Sequence, residues 1–153
     1  MEFTARISVF GGRDIDRTTY NNSIKIGQKL AKENYLVFCG GGFGVMEAIS
    51  KGIYQEGGTV IGILKGSTLN EANRFLSVPI ATGMGIGRNV LLAYNCDAAV
   101  AISGKYGTMS EIAYAMQLNK PVVGFNTLSI NNIIIAQTPT EVILKLQSAL
   151  RSE

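Results

Sequence analysis

The stretch Val100-Ala101-Ile102-Ser103-Gly104-Lys105-Tyr106-Gly107-Thr108-Met109-Ser110-Glu111 decides the fold of this chain. An apolar run stops at a glycine-bracketed turn, and a helical pattern begins at once. Met109, Ile112, Ala113 and Met116 recur at helical spacing, which predicts a helix from Thr108 to Asn119. A strand that feeds a helix through such a turn presents bare backbone N–H groups and the positive end of a helix dipole. That is an anion site, most often a phosphate site. Gly104, Lys105, Gly107 and Thr108 are its candidate contacts. Glu111 has two readings. It can serve chemistry or recognition beside a bound phosphate. Alternatively, Thr108-Met109-Ser110-Glu111 is a T-x-x-E capping box, in which Glu111 only reaches back to the N-cap amide.

The same strand–turn–helix unit recurs outward from this point. Ile7 to Phe10 is a short apolar run ending at Gly11-Gly12, followed by a helix from Asp16 to Asn34. Tyr35 to Cys39 is a second strand, Gly44 to Glu56 a second helix, and Thr59 to Leu64 a third strand. The pattern is lost from Lys65 to Ser77. Val78-Pro79-Ile80 reads as an edge strand, because proline cannot donate to an interior ladder. A helix follows from Gly87 to Asn95, with strands at Ala98 to Ile102, Pro121 to Phe125 and Ile133 to Ile135. Thr138-Pro139-Thr140-Glu141 sets an N-cap, Pro at N1 and Glu at N3 for a last helix. Short continuous Val/Ile-rich strands with helices between them predict an α/β fold: a doubly wound, mainly parallel sheet of six to seven strands flanked by helices. Residues 1–153 read as a single domain.

Composition narrows the chemistry. The chain is 46% hydrophobic and 16% charged, which suits a well-buried globule rather than a disordered chain. A net charge of +3 without any Lys/Arg block gives no argument for nucleic acid as a partner. No apolar stretch is long enough to span a bilayer, and the N-terminus is no signal peptide, so no membrane partner and a cytoplasmic location are expected. Cys39 and Cys96 lack metal-ligand spacing and read as buried thiols. Histidine is absent. Ser-His-Asp and Cys-His systems, histidine metal sites and a histidine base are thereby excluded, and no metal site is expected.

Glycine clusters follow several strands, at the edge where doubly wound sheets bind ligands. Gly11 and Gly12 either form a tight turn or let a ligand approach the backbone. Gly40, Gly41, Gly42 and Gly44 are costly for a mere turn, since each widens the unfolded ensemble, and they point to a ligand lying on the backbone. The GxGxxG fingerprint does not fit there, and the stretch around Gly104-Lys105 fails the Walker A spacing. Gly83-Met84-Gly85-Ile86-Gly87 precedes Arg88 and Asn89 at a helix start. A cation opposes the dipole at that end, so Arg88 indicates an anion or carboxylate nearby, unless it is a solvated surface arginine. Asn89 is a further candidate contact.

The order of these pieces is more specific than any one of them. Gly40-Gly41-Gly42-Phe43-Gly44-Val45-Met46-Glu47, then Arg88 opening a helix, then Gly104 to Glu111, resembles the Lonely Guy (LOG) family of Rossmann-like proteins. The resemblance runs from Ile7 to about Phe125. Gly87-Arg88-Asn89 makes the chain similar to the small prokaryotic branch related to the molybdenum-cofactor carrier protein. The family implies phosphoribohydrolase activity, which cuts the N-glycosidic bond of a nucleoside 5′-monophosphate to base and ribose 5-phosphate. A non-catalytic carrier or sensor of a nucleotide or molybdopterin-type cofactor is the alternative. The signature Pro-Gly-Gly-x-Gly-Thr-x-x-Glu falls on Ser103 to Glu111. Gly107, Thr108 and Glu111 match, whereas Ser103 replaces the proline and Lys105 the second glycine. By this resemblance Gly107 and Thr108 hold the 5′-phosphate. Arg88 and Glu111 form the catalytic pair, with Arg88 keeping Glu111 ionised. The family's Met-His-x-Arg-Lys segment is here Gly85-Ile86-Gly87-Arg88-Asn89. No cofactor is required, the expected ligand is an AMP-like nucleotide or phosphate, and a homo-oligomer, dimer or higher, is expected.

Overall fold

The computed structural model describes residues 2–152. Seven strands form one sheet: β1 (Arg6–Gly11), β2 (Leu36–Cys39), β3 (Thr59–Leu64), β4 (Val78–Ala81), β5 (Ala98–Ile102), β6 (Val122–Phe125) and β7 (Ile134–Ala136). Five helices connect them: α1 (Arg17–Lys32), α2 (Val45–Gln55), α3 (Asn89–Tyr94), α4 (Tyr106–Gln117) and α5 (Pro139–Arg151). The strand order is β4-β3-β2-β1-β5-β6-β7, and every neighbouring pair is parallel. The fold is the doubly wound, Rossmann-like arrangement.

Burial explains why the strands read as unbroken apolar runs. Every residue of β2, β5 and β6 is buried, because helices cover both faces. On one face Ile26 and Leu30 of α1, Ile49 and Ile53 of α2, and Val142 and Leu146 of α5 pack on Val9, Val37 and Val100. On the other, Leu92 of α3 and Ile112 of α4 pack on Phe10, Phe38 and Ala101. Cys39 and Cys96 are free and buried within these two layers. No helix among the described residues is long and apolar enough to cross a membrane.

Helix ends follow local chemistry. Asp16 caps α1 by accepting from Thr19 N at 2.8 Å. Thr138 caps α5 by accepting from Glu141 N at 3.1 Å, while Glu141 accepts from Gln137 N. Pro79 is tolerated because β4 is an edge strand. The segment expected as one helix from Gly87 is a 3₁₀ turn, Gly85–Arg88, followed by the short α3.

The chain builds outward from β1 to β4 and then returns to pair β5 with β1, in the register Val9–Val100, Phe10–Ala101, Gly11–Ile102. At this reversal the connections leave in opposite directions and open a crevice at the carboxyl ends of β1 and β5.

The patternless loop after β3 is pinned by one side chain. Asn73 is buried, and its Nδ2 donates to Gly42 O at 2.9 Å, Gly41 O at 3.3 Å and Ser50 Oγ at 3.3 Å. Its Oδ1 accepts from Phe75 N at 3.0 Å. Removing this amide leaves Gly42 O and Phe75 N without partners, whereas Gly41 O keeps the Asn73 amide N–H and Ser50 Oγ keeps Met46 O. Asn73→Ala is expected to lower unfolding free energy by about 2–3 kcal/mol, read as a reduced urea midpoint. An unchanged midpoint would show that the loop is held by other means.

Candidate functional site

The crevice between β1 and β5 holds a cavity of about 320 Å³. Gly11 and Gly12 enter it from the end of β1, and Gly104 and Lys105 from the end of β5. Gly107, Thr108 and Glu111 come from α4, and Arg88 and Asn89 from the junction of the 3₁₀ turn with α3. Nine residues singled out in the sequence are thus brought to one cavity. A shallower hollow of about 740 Å³ near Lys120 and Lys145 is lined by no buried ionisable group.

The phosphate-type corner is built by backbone. Lys105 is the N-cap of α4 and makes no side-chain cap, and the first helical bond runs from Met109 N to Lys105 O at 2.9 Å. The amides of Tyr106, Gly107 and Thr108 have no acceptor among the described residues. Gly104 is required in this turn. Its φ is +96°, and a Cβ there would lie 2.1 Å from Thr108 Oγ1. Ser103, at φ +53°, occupies a conformation closed to proline, so the replacement of proline in the signature goes with a different backbone turn.

The structure removes the capping reading of Glu111. α4 starts at Tyr106 rather than Thr108, so Glu111 lies in the second turn and Thr108 is buried rather than capping. Glu111 is 8% exposed, and its carboxylate forms no hydrogen bond among the described residues. Burial pushes its carboxyl up to about 8, against the opposing pull of Arg88. The expectation that Arg88 keeps Glu111 ionised is therefore corrected: desolvation outweighs the guanidinium.

Arg88 is occupied elsewhere. Its Nη1 donates to Gly40 O at 2.8 Å and Ile63 O at 2.6 Å, and Nε donates to Asn89 Oδ1 at 2.7 Å. Asn89 Nδ2 in turn donates to Ser110 Oγ at 3.1 Å, on α4. The guanidinium is balanced by carbonyls from the ends of β2 and β3, which is why it tolerates a helix start. Only Nη2 has no partner among the described residues.

The second glycine cluster stands apart from the main cavity. Gly40 and Gly42 line a smaller adjoining cavity of about 180 Å³. Gly40 leaves room for Arg88, whose Nη1 would lie 2.7 Å from a Cβ there. Gly41 and Gly44 line neither cavity. At Gly44, φ is +70° and a Cβ would come within 2.3 Å of Arg13 O, so packing of two loops accounts for it. Arg13 and Lys65 line both cavities and were not among the sequence candidates. Their signal was position: each lies just past a strand's carboxyl end, Arg13 behind Gly11-Gly12 and Lys65 directly behind β3.

Similarity to known proteins agrees with this architecture. The sequence profile of the SLOG cluster4 family matches residues 4–151. The chain belongs to this family. An uncharacterized protein of Archaeoglobus fulgidus is 35% identical over 139 residues, covering 90% of this chain and 91% of that protein. The cytokinin riboside 5′-monophosphate phosphoribohydrolase LOG2 of Arabidopsis thaliana is 31% identical over 120 residues. That match covers 70% of this chain and 53% of the plant enzyme, so the chain spans about half its length. The molybdenum cofactor binding protein of Rippkaea orientalis superposes with a TM-score of 0.88 at 29% identity, covering 94% of this chain and 95% of that one. The chain thus resembles LOG proteins in sequence and molybdenum-cofactor proteins in fold.

Glu111 couples this site to stability. Its carboxyl rises from 4.5 in the open chain to about 8 when buried, so the folded protein holds a proton that the unfolded chain releases between these values. Its contribution to stability is fully present below pH 4.5 and is lost as pH rises through about 8. Glu111→Gln should remove this loss, giving a variant more stable than the parent above pH 8 in urea titrations. Parallel pH–stability curves for the two proteins would refute it.

Proposed function

We propose that the chain binds a nucleoside 5′-monophosphate and hydrolyses its N-glycosidic bond. The carrying observation is that the carboxylate of Glu111, buried and without a hydrogen-bond partner among the described residues, shares one cavity with the uncapped N-terminus of α4. The amides at Gly107 and Thr108 are suited to the 5′-phosphate, and the dipole of α4 favours its charge. The ribose then lies toward Glu111.

A carboxyl pushed up to about 8 is protonated at neutral pH and serves as a general acid. As the bond from C1′ to the base breaks, its electron pair leaves with the base, and Glu111 delivers its proton there. The resulting carboxylate faces an oxocarbenium-like sugar, which it stabilises. It then takes a proton from the water that adds to C1′. Base and ribose 5-phosphate leave, and Glu111 is again protonated.

A second reading has its own support. Arg88 is committed to backbone carbonyls, and the full-length structural likeness is to a molybdenum cofactor binding protein. On that reading the same cavity holds a nucleotide or a molybdopterin-type cargo by its phosphate, without turnover.

Incubation with a panel of nucleoside 5′-monophosphates should release free base and ribose 5-phosphate, with turnover falling above pH 8 as Glu111 loses its proton. Glu111→Gln should retain binding and lower turnover by about 10²-fold or more, the usual scale of a lost general acid. Binding without base release by the parent protein would favour the carrier reading, and full turnover by Glu111→Gln would remove the acid role.

Self-association is also proposed. Ile86, Tyr94, Tyr106 and Met109 are exposed on the 3₁₀ turn, α3 and α4, next to the cavity mouth. Light scattering should give a mass at least twice 16.4 kDa. Tyr106→Glu should reduce it, and a monomer at micromolar concentration would exclude this role.

A further inference from the structure

The smaller cavity behind Arg88 has no role in the reading above, and its chemistry is distinctive. Arg13, Lys65 and Arg88 all line it, with Glu71 as its one carboxylate. No cation among the three pairs with a carboxylate within 4.0 Å, since the one such ion pair among the described residues joins Lys32 to Glu56. Like charges gathered at one concavity repel, and the low-dielectric walls Met46 and Leu64 sharpen that repulsion. Arg13 is steadied by the ring of Phe43, 5.3 Å from its guanidinium carbon. Arg88 is fixed by its bonds to Gly40 O and Ile63 O, with Nη2 unused. Gly40 leaves its Cβ space to Met46 and the Arg88 guanidinium, and Gly42 leaves its own to Met46. Arg13 and Arg88 are held in place, and three cations face the single carboxylate of Glu71, none of them in an ion pair.

The two cavities share Gly11, Arg13, Met46, Lys65 and Arg88 as a common wall. We infer that this smaller cavity is a second anion subsite, and that the preferred ligand is a nucleotide bearing a second phosphate group in addition to the one at α4. This rests on the nucleotide reading and specifies its ligand. One phosphate lies on the α4 amides. The other lies among Arg13, Lys65 and Nη2 of Arg88, where charge-assisted hydrogen bonds favour an oxyanion over water.

Calorimetric titration of the full chain with AMP, ADP and adenosine 3′,5′-bisphosphate tests this. At least one of the two doubly phosphorylated ligands should bind at least tenfold more tightly than AMP. Lys65→Ala and Arg13→Ala change exposed loop side chains, and circular dichroism will verify that each variant is folded. Each should weaken the doubly phosphorylated ligand at least tenfold more than it weakens AMP. If AMP binds as tightly as both other ligands, the subsite is overturned and the nucleotide reading stands. If the variants weaken AMP and the doubly phosphorylated ligands equally, the cations act only as a diffuse attraction and the subsite is again overturned. If none of the three ligands binds, the nucleotide reading fails as well.

Discussion

The side chain of Arg88 is the interaction on which the site depends. One guanidinium nitrogen closes the ends of β2 and β3 by donating to Gly40 O and Ile63 O. Through Nε it orients Asn89, and Asn89 reaches Ser110 on α4. Both halves of the crevice are therefore referred to one planar, permanently charged group. Lysine could not reproduce this, because the fork geometry supplies several donors in fixed directions. Gly40 belongs to the same device, since any side chain there would occupy the guanidinium's place.

This commitment shapes the electrostatics of Glu111. An arginine free to form an ion pair would hold the carboxyl ionised. Here the guanidinium is drawn to strand carbonyls, and no bond of 4.0 Å or less joins it to Glu111. Desolvation then prevails and the carboxyl keeps its proton near neutrality. The same cavity is lined by Arg13 and Lys65, neither of them in an ion pair among the described residues, and by Asp14. The cavity thus combines an acid that is neutral at rest with exposed positive charge.

Much of this was legible in the sequence. Continuous apolar strands alternating with helical patterns identified the doubly wound sheet, because burial on both faces leaves no room for polar alternation. Placement of ligand sites at strand ends then drew Gly11, Gly104, Thr108 and Glu111 to one crevice. The glycine cluster was less transparent. Composition shows that Gly44 lacks a side chain, but its positive φ and its contact with Arg13 O come from tertiary packing. Boundary error had a chemical consequence at α4. Starting the helix at Thr108 made a capping box plausible, and a start at Tyr106 abolishes it. Asn73 was invisible for another reason: its partners Gly41, Gly42 and Ser50 are distant in sequence, and nothing local marks a buried amide.

Lys105 shows how one misfit residue changes meaning with structure. Placed at a helix start, its cation opposes the dipole and does not cap the free amides. Ser103 and Gly104 both take positive φ ahead of it, so the turn it follows has its own backbone path. Lys105 is exposed and lines the mouth of the cavity rather than its floor, where Thr108 and Glu111 are buried. A flexible ammonium at the mouth leaves the amides of the first turn of α4 accessible and adds attraction for an approaching anion. The misfit is therefore compatible with phosphate binding, and the acid at Glu111 lies deeper, where Lys105 does not seal it from a ligand.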